Sequence, residues 1–365
     1  MNETDDFAAA QAQFLAPKGR PSNNVVPLQQ KEPLLRDALS WLDESTPADW
    51  IVQGLLQQGM VYAVTAQTNH GKTAVTLDMA LAVASGGKFA GRSVKQGRVL
   101  ILCGENPEGF RTRMLATIRA RNIERATLTG QIHVLPLSMP LAEIRGRLRE
   151  EATKVGEFAL VLIDTSVSFF SGDSEDDNVQ ARDHALDIRS LTLLPGKPAI
   201  AVNCHPSKGA TQDTLVPRGG GAFLNEIDTN LTVWSDGDVA TLHWHHKKRG
   251  PDFDPMYFRF QGGSITDAGG IKVPTVVAMH ISDDQEDALF KERREHENRV
   301  LVAMADAPGA SYADLAAECG WGRDNGKSRV KRIMDRLKDD GLVVKHRGRM
   351  RLTQKGDDEA KRSRR

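Results

Sequence analysis

From "MVYAVT" (60–65) onward, short apolar runs alternate with longer amphipathic stretches along the chain. The runs are "RVLILC" (98–103), "IHVLPL" (132–137), "ALVLID" (159–164) and "AIAVNC" (199–204). Between them lie segments of helical period at about 73–85, 107–121, 141–155 and 177–194. Apolar runs of strand length separated by helix-length segments predict parallel strands joined by crossover helices. After 220 the rhythm shortens. "TNLTVWSD", "VATLHWHHKKR" and "MYFRFQG" follow one another closely, the pattern of an antiparallel extension of the same sheet.

Residues 265–290, with "DAGG" and "SDDQED", read as a linker or a sheet margin. From about 291 the period is helical again. "ENRVLVAMADA" predicts one helix, and "SYADLAAECG", capped by Ser311, a second. "DNGKSRVKRIMDRLKDDG" predicts a third, closed by Gly341, and "LVVKHRGRMRLT" a hairpin turning at Gly348. Three helices and a basic hairpin are the order of a winged helix-turn-helix. Residues 1–45 are rich in Gln, Asn, Pro and charge with no clear period and are expected to be mostly disordered. No internal repeat is present.

Composition narrows the class. A length of 365 residues suggests two domains or one with an appendage, and 40% hydrophobic with 26% charged residues suffices for a sizeable core. No apolar run approaches the roughly 18 residues of a membrane span, and residues 1–30 lack a signal-peptide core. Cys103, Cys204 and Cys319 are few, odd in number and widely spaced, which points to reduced, buried thiols in a cytoplasmic protein. The formal net charge of +0 hides an asymmetry: residues 323–365 hold sixteen Lys/Arg against seven Asp/Glu, a net of about +9. A basic tail of that kind suits a polyanion, nucleic acid first among them, although a solvated charged surface has the same composition.

The chemistry begins at "TAQTNHGKTA" (65–74), placed between an apolar strand and a helical segment. Gly71, Lys72 and Thr73 match the end of the P-loop pattern, while Ala66 stands where its first glycine is expected. Such a loop aims backbone N–H groups at phosphates, its lysine reaches the β/γ oxygens and its hydroxyl serves Mg²⁺. The glycine before the lysine is the indispensable one, because backbone must approach phosphate there without a Cβ. Alanine is tolerated at 66 if its φ is negative, and Asn69 can take up a left-handed conformation within the turn. Thr68, Asn69, His70, Gly71, Lys72, Thr73 and Ala74 are therefore the expected nucleotide contacts. Asp164 closes an apolar strand where a metal-holding acid belongs, with Thr73 as its co-ligand. Glu105 lies just past the strand after the P-loop helix, suited to polarise water, and His205 ends the next strand at the same rim. The plainer alternatives are turn residues at strand ends.

Assembled in order, "AQTNHGKT", "LILCGEN", "LVLIDT", "AVNCH" and "HHKKRGP" give a chain that resembles the RecA-like ATPases over about 48–262. Among these it is most similar to the RepA-type hexameric helicases of plasmids and their DnaB-like relatives. The resemblance implies ATP and Mg²⁺ as ligands and a ring-forming homo-oligomer, a hexamer. It also implies that Lys247 and Arg249 reach a neighbouring subunit's site and that Lys208 and Arg218, in "PSKGATQDTLVPRGGGA", face single-stranded DNA in a central channel. Two departures stand out: Ala66, and Thr165 where a second acid often follows the first.

The expected fold is an α/β, RecA-like P-loop NTPase core over 46–265, a mostly parallel sheet with an antiparallel extension. A linker (266–290), a small α+β winged helix-turn-helix domain (291–356) and a basic tail (357–365) follow. In the third C-terminal helix, Val330, Ile333, Met334 and Leu337 form a core stripe, leaving Lys327, Arg329 and Arg332 for DNA. Arg347 and Arg349 on the wing are expected at backbone phosphates of an origin or duplex, though a solvated face or a protein partner would look the same. The expected function is an ATP-driven ring helicase of a plasmid, phage or other mobile element. A nucleotide-switched DNA-binding regulator without unwinding activity is the alternative, and no membrane partner is expected.

Overall fold

A computed structural model describes residues 35, 37–43, 49–266, 269–346 and 348–364. The chain divides into two units, 1–47 and 48–365. In the first, Ala38–Asp43 forms a short helix (α1), with Asp37 Oδ1 accepting from the N–H groups of Leu39 and Ser40 at 3.0 and 3.1 Å. Most of the stretch expected to be mostly disordered, 1–45, lies outside the described residues.

The second unit opens with the small antiparallel pair β1 (Trp50–Val52) and β2 (Leu56–Gln57), which the hydrophobic pattern did not announce. A nine-stranded sheet follows. In chain order it is built from β3 (Val61–Thr65), α2 (Lys72–Ser85), β4 (Arg98–Cys103), α3 (Pro107–Ala120) and β5 (Ile132–Leu135). Next come α4 (Leu141–Val155), β6 (Phe158–Asp164), α5 (Asn178–Ser190), β7 (Ala199–Cys204), α6 (Gly220–Glu226) and β8 (Thr229–Asp236). The strands β9 (Val239–Trp244), β10 (Met256–Thr266) and β11 (Lys272–His280) complete it. The spatial order is β11-β10-β9-β8-β3-β7-β6-β4-β5. Strands β8 to β5 in that order are mutually parallel, and β8 through β11 form an antiparallel meander. The expected parallel sheet with an antiparallel extension is present.

Register sets the working rim. Thr65 lies opposite Cys204, and Cys103 opposite Asp164, so the residues that follow all four strands emerge along one edge of the sheet. Helix α2 departs from expectation. Its period suggests one apolar face, yet it is buried on nearly all sides. The reason is tertiary: α2 and α3 both pack against β11, which with β10 forms an arm folded over the sheet's helical layer. Apolar side chains on the two faces of the sheet form separate clusters, one including Val75, Ile101, Leu162 and Phe258, the other Val161, Phe169, Ile188 and Val202.

The stretch read as a linker or a sheet margin, 266–290, is corrected only as a linker: its strand β11 is the outermost of the sheet, and helix α7 (Asp283–Asp306) begins within it. Its acidic run "DDQED" makes physical sense as a helix start. Ser282 and Gln285 form a capping box, and Asp283, Asp284 and Glu286 complement the helix dipole. After α7 come α8 (Tyr312–Glu318), capped by Ser311 as expected, and α9 (Arg323–Asp339). Then come β12 (Val343–His346), β13 (Arg349–Leu352) and α10 (Gln354–Ser363). Strands β12 and β13 pair antiparallel around Gly348, whose φ of 81° needs glycine. The residues expected as a basic tail, 357–365, are largely helical, and α10 buries Gly356 and Ala360. Val330, Ile333, Met334 and Leu337 are buried together with Val300 and Leu315. Among the described residues, no helix is long and apolar enough to cross a membrane.

Candidate functional site

The loop between β3 and α2 is shaped by two left-handed residues, Asn69 (φ 69°) and Gly71 (φ 82°). Ala66 stays out of that region and is fully buried, so the missing glycine costs the loop nothing in backbone conformation. At Gly71 no other residue fits. The Phe260 ring, from the β10–β11 arm, occupies the space a Cβ would need.

A cleft of about 410 Å³ opens over this loop, within the roughly 300–1,000 Å³ usual for small-molecule sites. Thr68, Asn69, Gly71, Lys72, Thr73 and Ala74 line it. His70 does not; its Nδ1 accepts from the Ser235 N–H at 2.9 Å and its ring packs on Trp234, 4.4 Å between centroids. That histidine anchors the loop to β8 rather than facing a ligand. Glu105, Thr165 and His205 complete the polar wall, with Phe260 and Val276 on the apolar side.

Lys72 is buried, and its Nζ donates to the Cys204 carbonyl at 2.9 Å. Burial lowers its pKa, against the opposing pull of the Asp164 and Glu105 carboxylates. A phosphate entering the loop would restore what burial removes. Thr73 Oγ1 donates to Asp164 at 3.0 Å, so the hydroxyl and carboxylate expected to share a cation are already in contact. Asn203 Nδ2 donates to the same carboxylate at 2.6 Å and to Thr76 Oγ1 at 3.0 Å. This donor set of hydroxyl and carboxylate suits a hard divalent cation that keeps several waters. Glu105 is exposed at the cleft edge. His205 is half-buried, and its pKa is lowered to about 4, by burial first and then by Lys72 and Arg218. It is therefore a neutral imidazole near pH 7, able to donate or accept one hydrogen bond.

Residues not foreseen from sequence also matter. Arg113, on α3, lines the cleft, and its Nε is buried without a partner among the described residues. Its place two turns along the helix after Glu105 was the available signal. Asn203 was legible as the lone polar side chain in a fully buried strand. Phe260 gave no signal, because its position depends on how the arm folds back.

Lys247 and Arg249 lie elsewhere. Arg249 Nη1 pairs with Asp228 at 2.7 Å, and its backbone N–H donates to Thr229 Oγ1 at 3.0 Å. Lys247 Nζ donates to the carbonyls of Leu224 and Asn225 at 2.6 and 3.0 Å. Burial, then the Arg249 charge, lowers the Lys247 pKa. Asp228 is buried, also receives Arg189 at 3.2 Å and accepts from the Val61 N–H at 2.8 Å. All of these mark the start of β3 and β8, whereas the P-loop leaves the end of β3. A strand of that length, at ~3.3 Å per residue, puts the two cations roughly 15 Å or more from their own cleft.

The segment after His205 folds on itself through a bridge between Pro206 and Pro217. Lys208 is exposed near its tip, whereas Arg218 is held by Glu175 at 2.9 Å and is less free for a phosphate than expected. Gln67 of the P-loop donates to the Ala210 carbonyl, tying this segment to the cleft. On α9 and β13, Lys327 and Arg349 are exposed, and Arg329 lies over Trp321, 5.1 Å from the ring centroid. Arg332 lies 3.8 Å from Asp236 at the end of β8 and keeps about half of its side chain exposed. Arg347 lies outside the described residues.

Residues 29–210 match the family model of an AAA domain. The match supports a place among the AAA/P-loop ATPases and supports nucleotide hydrolysis, with the divalent metal such domains usually bind. It includes the P-loop, Glu105, Asp164 and His205 and ends before Lys247 and Arg249. A comparison with curated proteins found no match.

Proposed function

We propose that the chain, built around an AAA-type P-loop ATPase domain, is an ATP-hydrolysing, DNA-binding ring motor, a replicative-type helicase of a plasmid, phage or other mobile element. The observation that carries this reading is the separation of Lys247 and Arg249 from their own cleft. Cations on the opposite rim can serve a triphosphate only across a boundary between copies. A shared site makes hydrolysis conditional on assembly, and six copies closing a ring satisfy every boundary at once.

Within one cleft, the loop N–H groups and Lys72, released from the Cys204 carbonyl, hold the β/γ-phosphates of ATP. Thr73 and Asp164 are placed to hold Mg²⁺, which supplies charge neutralisation on those phosphates. Glu105 polarises the attacking water, and the neutral His205 hydrogen-bonds the water or the γ-phosphate. Arg249 of an adjoining copy meets the charge of the transition state, worth about 10³-fold or more in other nucleotide hydrolases. The Gln67–Ala210 link gives the segment carrying Lys208 a mechanical tie to the phosphate loop, suited to a channel loop that follows one DNA strand.

Hydrolysis measured with and without single-stranded DNA, together with strand displacement, tests the reading. Stimulation and unwinding are expected; absence of both removes the motor. One observation favours the alternative of a nucleotide-switched regulator: β8 touches the P-loop through Ser235 and the basic helix α9 through Asp236. A Glu105→Gln variant separates the two, since a motor loses unwinding while a switch keeps or strengthens its hold on duplex DNA.

A further inference from the structure

Helix α9 carries cations on two edges, and the fold uses them differently. At about 100° per residue, Arg329, Arg332 and Arg336 flank one side of the buried stripe, and Lys327, Lys331 and Lys338 the other. The arginine edge is occupied from within the chain. Arg336 pairs with Asp236 at the end of β8 and, through Nε, with Glu297 of α7 at 2.8 Å. Arg332 turns to the same Asp236, its guanidinium against Gly237, and Arg329 covers Trp321. A phosphate arriving here would have to displace two carboxylates and an aromatic face.

The lysine edge is free of such partners. Lys327, Lys331 and Lys338 are exposed, and none is paired with a carboxylate among the described residues. Beside Lys338 a groove of about 550 Å³ runs between α8, α9 and the β12–β13 hairpin. Lys338, Lys345 and Arg349 stand around it, against Asp335 as its one acidic lining residue. Lys327 to Lys338 spans about 16 Å of helix, close to five base-pair rises of a duplex. Tyr312 is the groove's one aromatic side chain, too little for the stacking platform that single strands favour.

We propose that duplex DNA seats its phosphate backbone on the lysine edge of α9 and on the β12–β13 hairpin, across this groove, while the arginine edge remains a fixed joint to the sheet. The proposal rests on the DNA-binding reading above and names the surface that does the binding. Lysines with no partner release only counterions when a phosphate arrives, whereas the arginines are already spent.

The test uses the full chain and a fluorescently labelled 25-base-pair duplex, with anisotropy read between 50 and 200 mM salt. The double variant Lys331→Gln/Lys338→Gln is expected to bind about 10-fold more weakly at the upper end and to lose about 1.8 from the slope of log affinity against log salt. Arg332→Gln is expected to stay within about 2-fold of the parent chain, with an unchanged slope. If Arg332→Gln falls as far as the lysine variant, or the lysine variant matches the parent, the seat is wrong while the DNA-binding reading survives. A parent chain that binds neither the duplex nor a matching single strand removes both. Lysine-dependent binding of the single strand alone overturns the choice of partner. Basal hydrolysis and thermal melting report folding, and Lys345→Gln on the exposed hairpin repeats the comparison should the helix variant melt early.

Discussion

At Gly71 the backbone sits at φ 82° and the Phe260 ring fills the space beyond its Cα. Gly71→Ala therefore combines left-handed strain of about 1–3 kcal/mol with a clash against an aromatic ring. It is expected to lower the melting temperature and remove nucleotide binding together. Lys72→Ala should remove nucleotide binding alone, with folding intact, as read by titration of a fluorescent nucleotide; undiminished binding would unseat the phosphate loop. Protonation offers a different check on the same scale. His184 is buried, its Nε2 shares a hydrogen bond with the Ser166 hydroxyl at 2.9 Å, and its pKa is lowered to about 4, chiefly by burial. Between pH 4 and 6.5 the unfolded chain binds a proton there that the folded chain refuses, so stability rises with pH across that window. His184→Gln removes this contribution, and a shallower dependence of unfolding free energy on pH over the same range is expected. An unchanged slope would contradict the burial argument. Much at this scale was legible from sequence, because Asp164 and His205 end apolar runs and strand ends converge on one rim. Arg113 and Phe260 were not, since their meeting at the cleft depends on helix direction and on the folding back of the arm.

Among the elements, the arm of β10 and β11 and the joint of α9 separate structure from expectation. The stretch 265–290 reads as a linker or a sheet margin, yet its strand β11 covers α2 and α3. Local period cannot disclose a strand whose apolar contacts lie on another layer. The same limit applies to Arg332 and Arg336, cations of a basic helix that meet Asp236, about a hundred residues earlier in the chain. Long-range pairing of that kind leaves no local trace. Arg336→Ala strands Asp236 and Glu297 in a partly buried setting. It is expected to cost about 1–3 kcal/mol in denaturant unfolding. A cost near zero would mean that the joint is a surface ion pair without structural weight.

On the scale of the whole molecule, one cleft lacks what the opposite rim carries. The P-loop, Glu105, Asp164 and His205 gather at the ends of the parallel strands, while Asp228 holds Arg249 at their beginnings. Completion by a second copy is the account's central claim. Arg249→Ala is expected to leave nucleotide binding intact and to reduce hydrolysis by about 10³-fold. The most direct measurement mixes Arg249→Ala with Lys72→Ala protein, each inactive alone, and follows phosphate release across mixing ratios. Hybrid boundaries that pair an intact Lys72 with an intact Arg249 should restore part of the activity, with a maximum at intermediate ratios. Mixtures that stay inactive at every ratio, although sizing shows the two variants assembling together, would contradict the shared site.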